Sequence, residues 1–184
     1  MVAKLSDFQT RLAGGGARAN QFVVTINGVA FVDTTDEIKF LCRSASMPAM
    51  TVGEVPVFYR GRQIYVAGDR TYADWTITVY NDAGWNARSS FERWNNALQE
   101  IGVTTTGTQD PASYYGHAQV AQRDRSDEGD PIRTAELHDV WPTNVGEIAL
   151  AYDTVDAIEE FEVTLRFNWM QLSGAKGPQL GKMS

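Results

Sequence analysis

Cysteine, histidine and long apolar runs are all scarce in this chain, and each shortage removes a class of function. A single cysteine, Cys42, makes an internal disulfide impossible, and its apolar surroundings in sequence suit a small buried thiol better than a nucleophile. The two histidines, His117 and His138, fall on predicted strands with no nucleophile motif or metal-ligand spacing beside them. They read as surface or hydrogen-bonded residues, not a catalytic pair. No apolar run approaches the roughly 20 residues needed to span a bilayer. The start Met1-Val2-Ala3-Lys4-Leu5-Ser6 has no apolar core of a signal peptide, so intracellular synthesis is expected. Basic charge is also in deficit: 16 Lys and Arg against 23 Asp and Glu leave a net −7. A protein that grips nucleic acid by neutralising phosphates needs the opposite balance.

Three local features invite a chemical reading and do not sustain it. Gly14-Gly15-Gly16 is not preceded by a strand or followed by Gly-Lys-Ser/Thr, so it reads as an arm and not a phosphate loop. The cluster Asp124, Asp127, Glu128 and Asp130 has neither the spacing nor the closing Glu of an EF-hand, and β-turns are ordinarily acidic. Glu159 and Glu160 are neighbours on a predicted strand, where adjacent side chains point to opposite faces and cannot converge as acid and base. No catalytic residue, cofactor or metal is expected.

What the chain does carry is sheet. The 184 residues suit one domain, and 43% hydrophobic with 11% aromatic residues indicates a globular core. Ile158 to Met170 alternates strictly, with Phe161, Val163, Leu165, Phe167 and Trp169 on one face, which predicts a long half-buried strand. Further strands are expected from Gln21 through Ile26, over Ile38 to Ala45 and over Trp75 to Tyr80. Thr51 to Ala67 reads as extended segments around Arg60-Gly61-Arg62, a protruding hairpin or loop. His117 to Arg125 and Ile132 to Val140 form a polar hairpin about Asp127 to Pro131. Glu147 to Asp153 is expected to pair with the strand that follows it in a last hairpin.

One helix stands out, from about Trp85 to Ile101, where Phe91, Trp94, Leu98 and Ile101 recur at helical spacing, with Asn81 or Asp82 as cap and Gly102 as stop. A second short helix is possible around Leu5, Phe8 and Leu12. The expected organisation is a flexible arm over 1–19, a β domain over 20–172 and a tail over 173–184 that docks onto a partner. The fold class is mainly β, sandwich or barrel-like with antiparallel sheets, and one flanking α-helix.

Ile64-Tyr65-Val66-Ala67-Gly68-Asp69-Arg70-Thr71, followed by Asp74-Trp75-Thr76-Ile77-Thr78-Val79, resembles the tail tube protein family of contractile-tailed (T4-like) bacteriophages. The likeness continues in order and spacing through Asn81-Asp82, Ala87-Arg88 with Phe91 and Trp94, Leu137, Trp141-Pro142-Thr143-Asn144-Val145-Gly146-Glu147 and Phe161-Glu162-Val163-Thr164-Leu165. It spans roughly residues 20–169 and departs at 29–36, 102–115 and beyond Leu172.

The resemblance implies a structural protein of the virion, made in the host cytoplasm. Six copies would form a ring whose sheets join into one inner barrel, and stacked rings would form a tube inside a contractile sheath. Implied partners are the chain itself, the tail sheath protein, and the baseplate and tail terminator proteins, with DNA passing through the lumen without specific binding. Gly68, Asp69, Arg70, Trp75, Trp141, Pro142, Asn144 and Gly146 become structural or assembly candidates. Gly68 is expected at a turn, Asp69 and Arg70 as a local or intersubunit ion pair, and Trp141-Pro142 at a strand exit with Trp141 as a core or interface anchor.

Arg123, Asp124, Asp127, Glu128 and Asp130 become candidate lumen charges. Six subunits at −7 carry about −42 (six times seven), an acidic wall that would repel phosphate even with screening over about 8 Å. Two other readings stand beside this one. The chain could be the tube subunit of a type VI secretion or extracellular contractile injection system, which carries protein. It could also be a monomeric ligand-binding β-barrel, which would need a closed apolar cavity.

Overall fold

The computed structural model describes residues 5, 9–10, 16–27, 35–102, 107–108, 110–124, 131–153, 155–174 and 180, with the backbone alone for 35–37. Six strands follow one another in space: β1 (Phe22–Asn27), β6 (Gly116–Gln122), β7 (Arg133–Val145), β8 (Glu160–Arg166), β5 (Trp75–Tyr80) and β2 (Cys42–Ala45). Every pairing is antiparallel, and β9 (Trp169–Ser173) adds to the first half of β7. The alternation that predicted the strands is the alternation that fills the interior. Val24 and Ile26 of β1, Trp75, Ile77 and Val79 of β5, and Phe161, Val163 and Leu165 of β8 are all buried in one cluster. At roughly 1.5–3 kcal/mol for each large apolar side chain, these faces drive the sheet to curl on itself. The enclosed space is packed with side chains, unlike the hollow that a ligand barrel needs.

The curl has a defined corner. Ala135 and Leu137 point inward on β7, and after Asp139 the inward set becomes Val140 and Pro142, one residue out of phase. Asp139 has φ 56°, and the register jumps there from His117–His138 to Gly116–Val140, a bulge that bends the strand. Alongside it, the Asn168 amide N–H donates to the His138 carbonyl at 3.1 Å, and its side chain donates to Asp139 at 3.3 Å.

The expected single strand from Ile158 to Met170 is therefore two. β8 keeps Phe161 through Phe167 inward, and beyond Asn168 the phase flips so that Met170 is buried and Trp169 is not. The first half of β7 pairs with β6 and β9, and its second half pairs with β8. Trp141-Pro142 is consequently not a strand exit. Pro142 sits inside β7 in register with Leu165, next to a bulge, one of the places where a sheet tolerates proline.

Two further expectations fail locally. Ile38 to Ala45 is not one strand: Thr35–Leu41 is a helix, α1, and only Cys42–Ala45 is extended. Ile38 and Leu41, three apart, supply the inward stripe that the i, i+2 spacing of Ile38, Phe40 and Cys42 disguised, and Phe40 is exposed. Glu147 to Asp153 forms no strand, and Leu150 and Tyr152 lie in solvent. The partners that β8 was expected to find there are β5 and the end of β7.

The long helix α2 (Asn86–Leu98) buries Ala87, Phe91 and Trp94 against the barrel, with Phe91 edge-on to Phe161 at 6.3 Å. Asp82 caps it, its carboxylate accepting from the Asn86 and Ala87 amides at 3.2 and 3.1 Å. Burial works against the charged form, but these N–H donors outweigh it and hold the Asp82 carboxyl below its ordinary range. The helix ends at Leu98 with Gln99 extended, so Gly102 is not its stop. A one-turn helix, α3 (Pro111–Tyr114), follows, and its Tyr114 carbonyl accepts from the Trp94 indole at 2.9 Å. Near the N-terminus, Leu5, Gln9 and Thr10 are helical, while Phe8 and Leu12 lie outside the described residues.

Candidate functional site

Three surfaces are left over once the core is formed. The first is the outward face of the four-stranded sheet β1–β6–β7–β9. Its register sets Thr25, Gln119, Glu136 and Gln171 in one row across the strands. The next row is Asn27, His117, His138 and Trp169, and on the other side lie Val23, Ala121, Thr134 and Ser173, of which Thr134 is itself buried. Period-two alternation makes this face the complement of the buried one, so its residue types were readable in the sequence once the strands were aligned.

The histidines, isolated in sequence, meet here. Their rings stand edge to face at 5.1 Å, and His138 stacks flat on Trp169 at 3.7 Å. Burial, then the neighbouring His117, depress the His138 pKa against the opposing pull of Glu136 and Asp139. His138 Nε2 is buried without a hydrogen-bond partner, so the expectation of a surface or satisfied histidine does not hold for it. Among the described residues no group of three or more His, Cys, Asp or Glu is placed to hold a metal ion.

The edges of this sheet matter as much as its face. Strand directions alternate across β1, β6, β7 and β9, so the two border strands run oppositely. Among the described residues no strand pairs with the outer side of β1, and β9 carries there a single bridge, Leu172 to Leu180. Such borders invite pairing with another chain.

The second surface is the hairpin of β3 (Met50–Tyr59) and β4 (Arg62–Tyr72), a separate two-stranded sheet. Arg60 and Gly61 both have positive φ, 47° and 80°, as a tight two-residue connection requires. Cross-strand pairs Val55–Val66 and Val57–Ile64 lie on one face, with Phe58 and Tyr65 on the other, and all six are exposed. A two-stranded ribbon of this length with apolar side chains bare on both faces is marginal in water without a partner.

The third surface is the outward face of β5 and β8, where Thr78, Glu160 and Glu162 with Arg43 line an open groove of about 550 Å³. Charge concentrates here: Arg43 pairs with Glu160, and Arg166 with Asp74 at 2.6 Å.

The residues singled out from sequence fall on different parts of this frame. Gly68 is not at a turn. It lies inside β4 opposite the bulge at Gly53, where a Cβ would come within 3.2 Å of the Gly53 carbonyl. Asp69 and Arg70 are successive strand residues with side chains on opposite faces, and Arg70 donates to the Met50 sulfur at 3.2 Å instead of pairing with Asp69. Trp75 is buried, with its indole donating to the Ser46 carbonyl at 2.8 Å. Trp141 packs on Tyr115 at 5.4 Å, and Asn144 is exposed beside the β7 bulge.

Gly146 is pinned. Its N–H donates to the Glu162 carbonyl at 2.7 Å, its own carbonyl accepts from Arg88 at 2.8 Å, and a Cβ would stand 2.8 Å from the Glu162 oxygen. Arg123 and Asp124 leave the end of β6, and Asp127, Glu128 and Asp130 lie outside the described residues. Cys42 is half-buried, its thiol donating to the Ser44 carbonyl at 3.5 Å and pushed by burial to a pKa of about 11. A thiol so raised is a poor nucleophile.

A filled barrel, a bare hairpin and unsatisfied sheet borders describe a surface made for assembly, and the sequence agrees: residues 7–171 match the family model of the phage tail tube protein. The chain belongs to that family. It is 38% identical over 159 residues to the tail tube protein gp19 of Enterobacteria phage T4, covering 86% of this chain and 93% of that one. It is also 25% identical over 171 residues to the tail tube protein of Serratia phage KSP90, covering 90% and 95%. Among solved structures, a chain of the sheath–tube complex of the extracellular contractile injection system PVC superposes with a TM-score of 0.65 at 12% identity, covering 95% of this chain and all of that one. A chain of the anti-feeding prophage baseplate gives 0.66 at 13%, covering 88% and 97%. These neighbours share the fold, and the phage relatives are structural tail tube proteins.

Proposed function

We propose that this tail tube family member builds the hollow core of a contractile tail, six copies closing into a ring and rings stacking into a conduit for DNA. The observation that carries the reading is the pair of oppositely directed borders, β1 and β9. When β9 of one copy meets β1 of the next, the new pair is antiparallel like every other pair in the sheet, so the sheet continues without a seam and closes around the ring. Closure satisfies the border N–H and C=O groups that a lone copy leaves to water.

The face of β1–β6–β7–β9 then lines the lumen, while the bare hairpin β3–β4 reaches to a neighbouring copy that covers it. Gly68, Asp69 and Arg70 serve assembly through that hairpin. Trp75, Trp141, Pro142, Asn144 and Gly146 hold the barrel corner and α2 in the shape that the ring requires. Arg123 and Asp124, at the end of β6, charge the mouth of the lumen, and the candidate charges Asp127, Glu128 and Asp130 follow them in sequence. The sheath packs outside, the baseplate and a terminator close the two ends, and the product resides in the virion.

The phage relatives favour DNA as cargo over the protein cargo of secretion tubes. To test the assembly reading, purified protein is imaged by negative-stain microscopy with and without baseplates. Rings or tubes of even diameter are expected, and a chain that stays monomeric in both conditions contradicts it.

A further inference from the structure

Resting on the tube reading, we propose that Leu180, in the C-terminal tail, is a built-in competitor for the border of β9. In the lone subunit it occupies backbone groups that β1 of the next copy takes when a ring closes, so each subunit must release its own tail from that border to join. Leu180 makes a complete antiparallel bridge to Leu172: its N–H donates to the Leu172 carbonyl at 2.9 Å, and its carbonyl accepts from the Leu172 N–H at 2.8 Å. The Leu172 groups therefore point out of the sheet. Alternation along the strand turns those of Met170 the same way and those of Trp169, Gln171 and Ser173 toward β7. The bridge thus consumes one of the two residues that β9 can offer to a neighbour. Strands in a sheet lie about 4.8 Å apart, so the tail and an incoming β1 cannot hold that place together.

The leucine side chain has a seat as well. Leu180 lines, with Leu172 and Met170, a cavity of about 300 Å³ whose other walls are Met50, Arg70 and Tyr72, at the end of the β3–β4 hairpin away from its turn. The tail is therefore held between the two surfaces that the tube reading gives to neighbouring copies. Leu180 remains 49% exposed, and a contact of one bridge and a shallow seat opens readily. Such a contact raises the protein concentration that ring closure needs without forbidding closure, because the apparent affinity falls with the fraction of subunits whose border is free. The family match ends at residue 171, so this device lies outside the region shared with the family.

The test follows tube formation on baseplates by sedimentation across a concentration series. Leu180→Pro removes the N–H that donates to Leu172 and leaves β9 itself unaltered. It is expected to lower the concentration at which tubes appear by at least about threefold, since fewer subunits are held closed. Leu172→Cys combined with Leu180→Cys works in the opposite direction. Residues in a hydrogen-bonded antiparallel pair have Cα atoms about 5.5 Å apart, within the roughly 4.4–6.8 Å that a disulfide spans. Cys42, its thiol pKa raised by burial, stays out of the exchange. The oxidised chain is expected to stay out of tubes and to enter them on reduction.

An unchanged threshold with Leu180→Pro overturns the proposal, and a raised one overturns it by making the tail part of the tube contact. Tubes built from the oxidised chain with its cross-link intact overturn it too. In each of these cases tubes still form and the chain keeps its place in them, whereas baseplates on which the unaltered chain builds nothing would refute the tube reading itself.

Discussion

Replacing Val57 and Ile64 by threonine in the hairpin separates assembly from folding. The two side chains face each other across β3 and β4 and are 41% and 55% exposed, so the lone subunit gains little from them. Threonine keeps the β-branch that strands favour, and surface changes of this kind shift stability by about 0.5 kcal/mol or less. If a neighbouring copy covers these positions in the tube, as proposed, each hydroxyl enters an apolar contact at roughly 1–3 kcal/mol. Two sites therefore cost roughly 2–6 kcal/mol per contact, or more than tenfold in the protein concentration at which tubes appear, at about 1.4 kcal/mol per factor of ten. Thermal unfolding of the monomer and sedimentation of tubes across a concentration series measure the two quantities. An unchanged melting temperature with a raised assembly threshold is expected. An unchanged threshold would refute the argument that the hairpin is bare because a second copy covers it.

Three further outcomes follow from the core and the histidine pair. Phe161→Ala removes a buried ring in contact with Phe91 and should destabilise the subunit by about 3–5 kcal/mol in denaturant unfolding. Gly146→Ala forces its methyl against the Glu162 carbonyl, which must shift and strain the bond from the Gly146 amide, at a cost of roughly 1–3 kcal/mol read in the same assay. The His138 pKa is depressed in the folded state, so the unfolded chain binds more protons and stability falls as pH drops below the ordinary value of 6.5. A His138→Gln variant should show a flatter loss between pH 7 and pH 5, and an identical profile would count against the depressed pKa.

Elements whose periodicity stands alone were legible. Trp75–Tyr80, the hairpin about Arg60-Gly61 and α2 were all readable from spacing and turn residues, because each buries one face or none along its whole length. The corner was not. Phe167 and Trp169 continue the alternation of β8 in sequence, but the chain bends at Asn168 against Asp139, and no local pattern marks a bend created by two strands changing sheet together. Pro142 suggested an ending because proline removes a ladder donor, whereas the strand continues past it through a bulge.

Ile38 to Leu41 illustrates the ambiguity of short apolar runs, where i, i+2 and i, i+3 matches coexist and burial decides. The assembly surfaces were half visible. The hairpin's apolar residues were in plain sight, and the polar row of Gln119 and Glu136 needed only strand alignment. The meeting of His117 with His138 and Trp169 depends on register between three strands, which one sequence does not encode locally.

Hydrogen exchange of the border amides, compared between the lone subunit and assembled tubes, addresses the central claim most directly. Antiparallel geometry turns the Met170 N–H outward on the same side as that of Leu172, and the outward amides of β1 form the matching border. The account predicts fast exchange of these amides in the monomer and strong protection in the tube, with the centre of β7 protected in both. Border amides of β1 and β9 that exchange as fast in tubes as in monomers would contradict it.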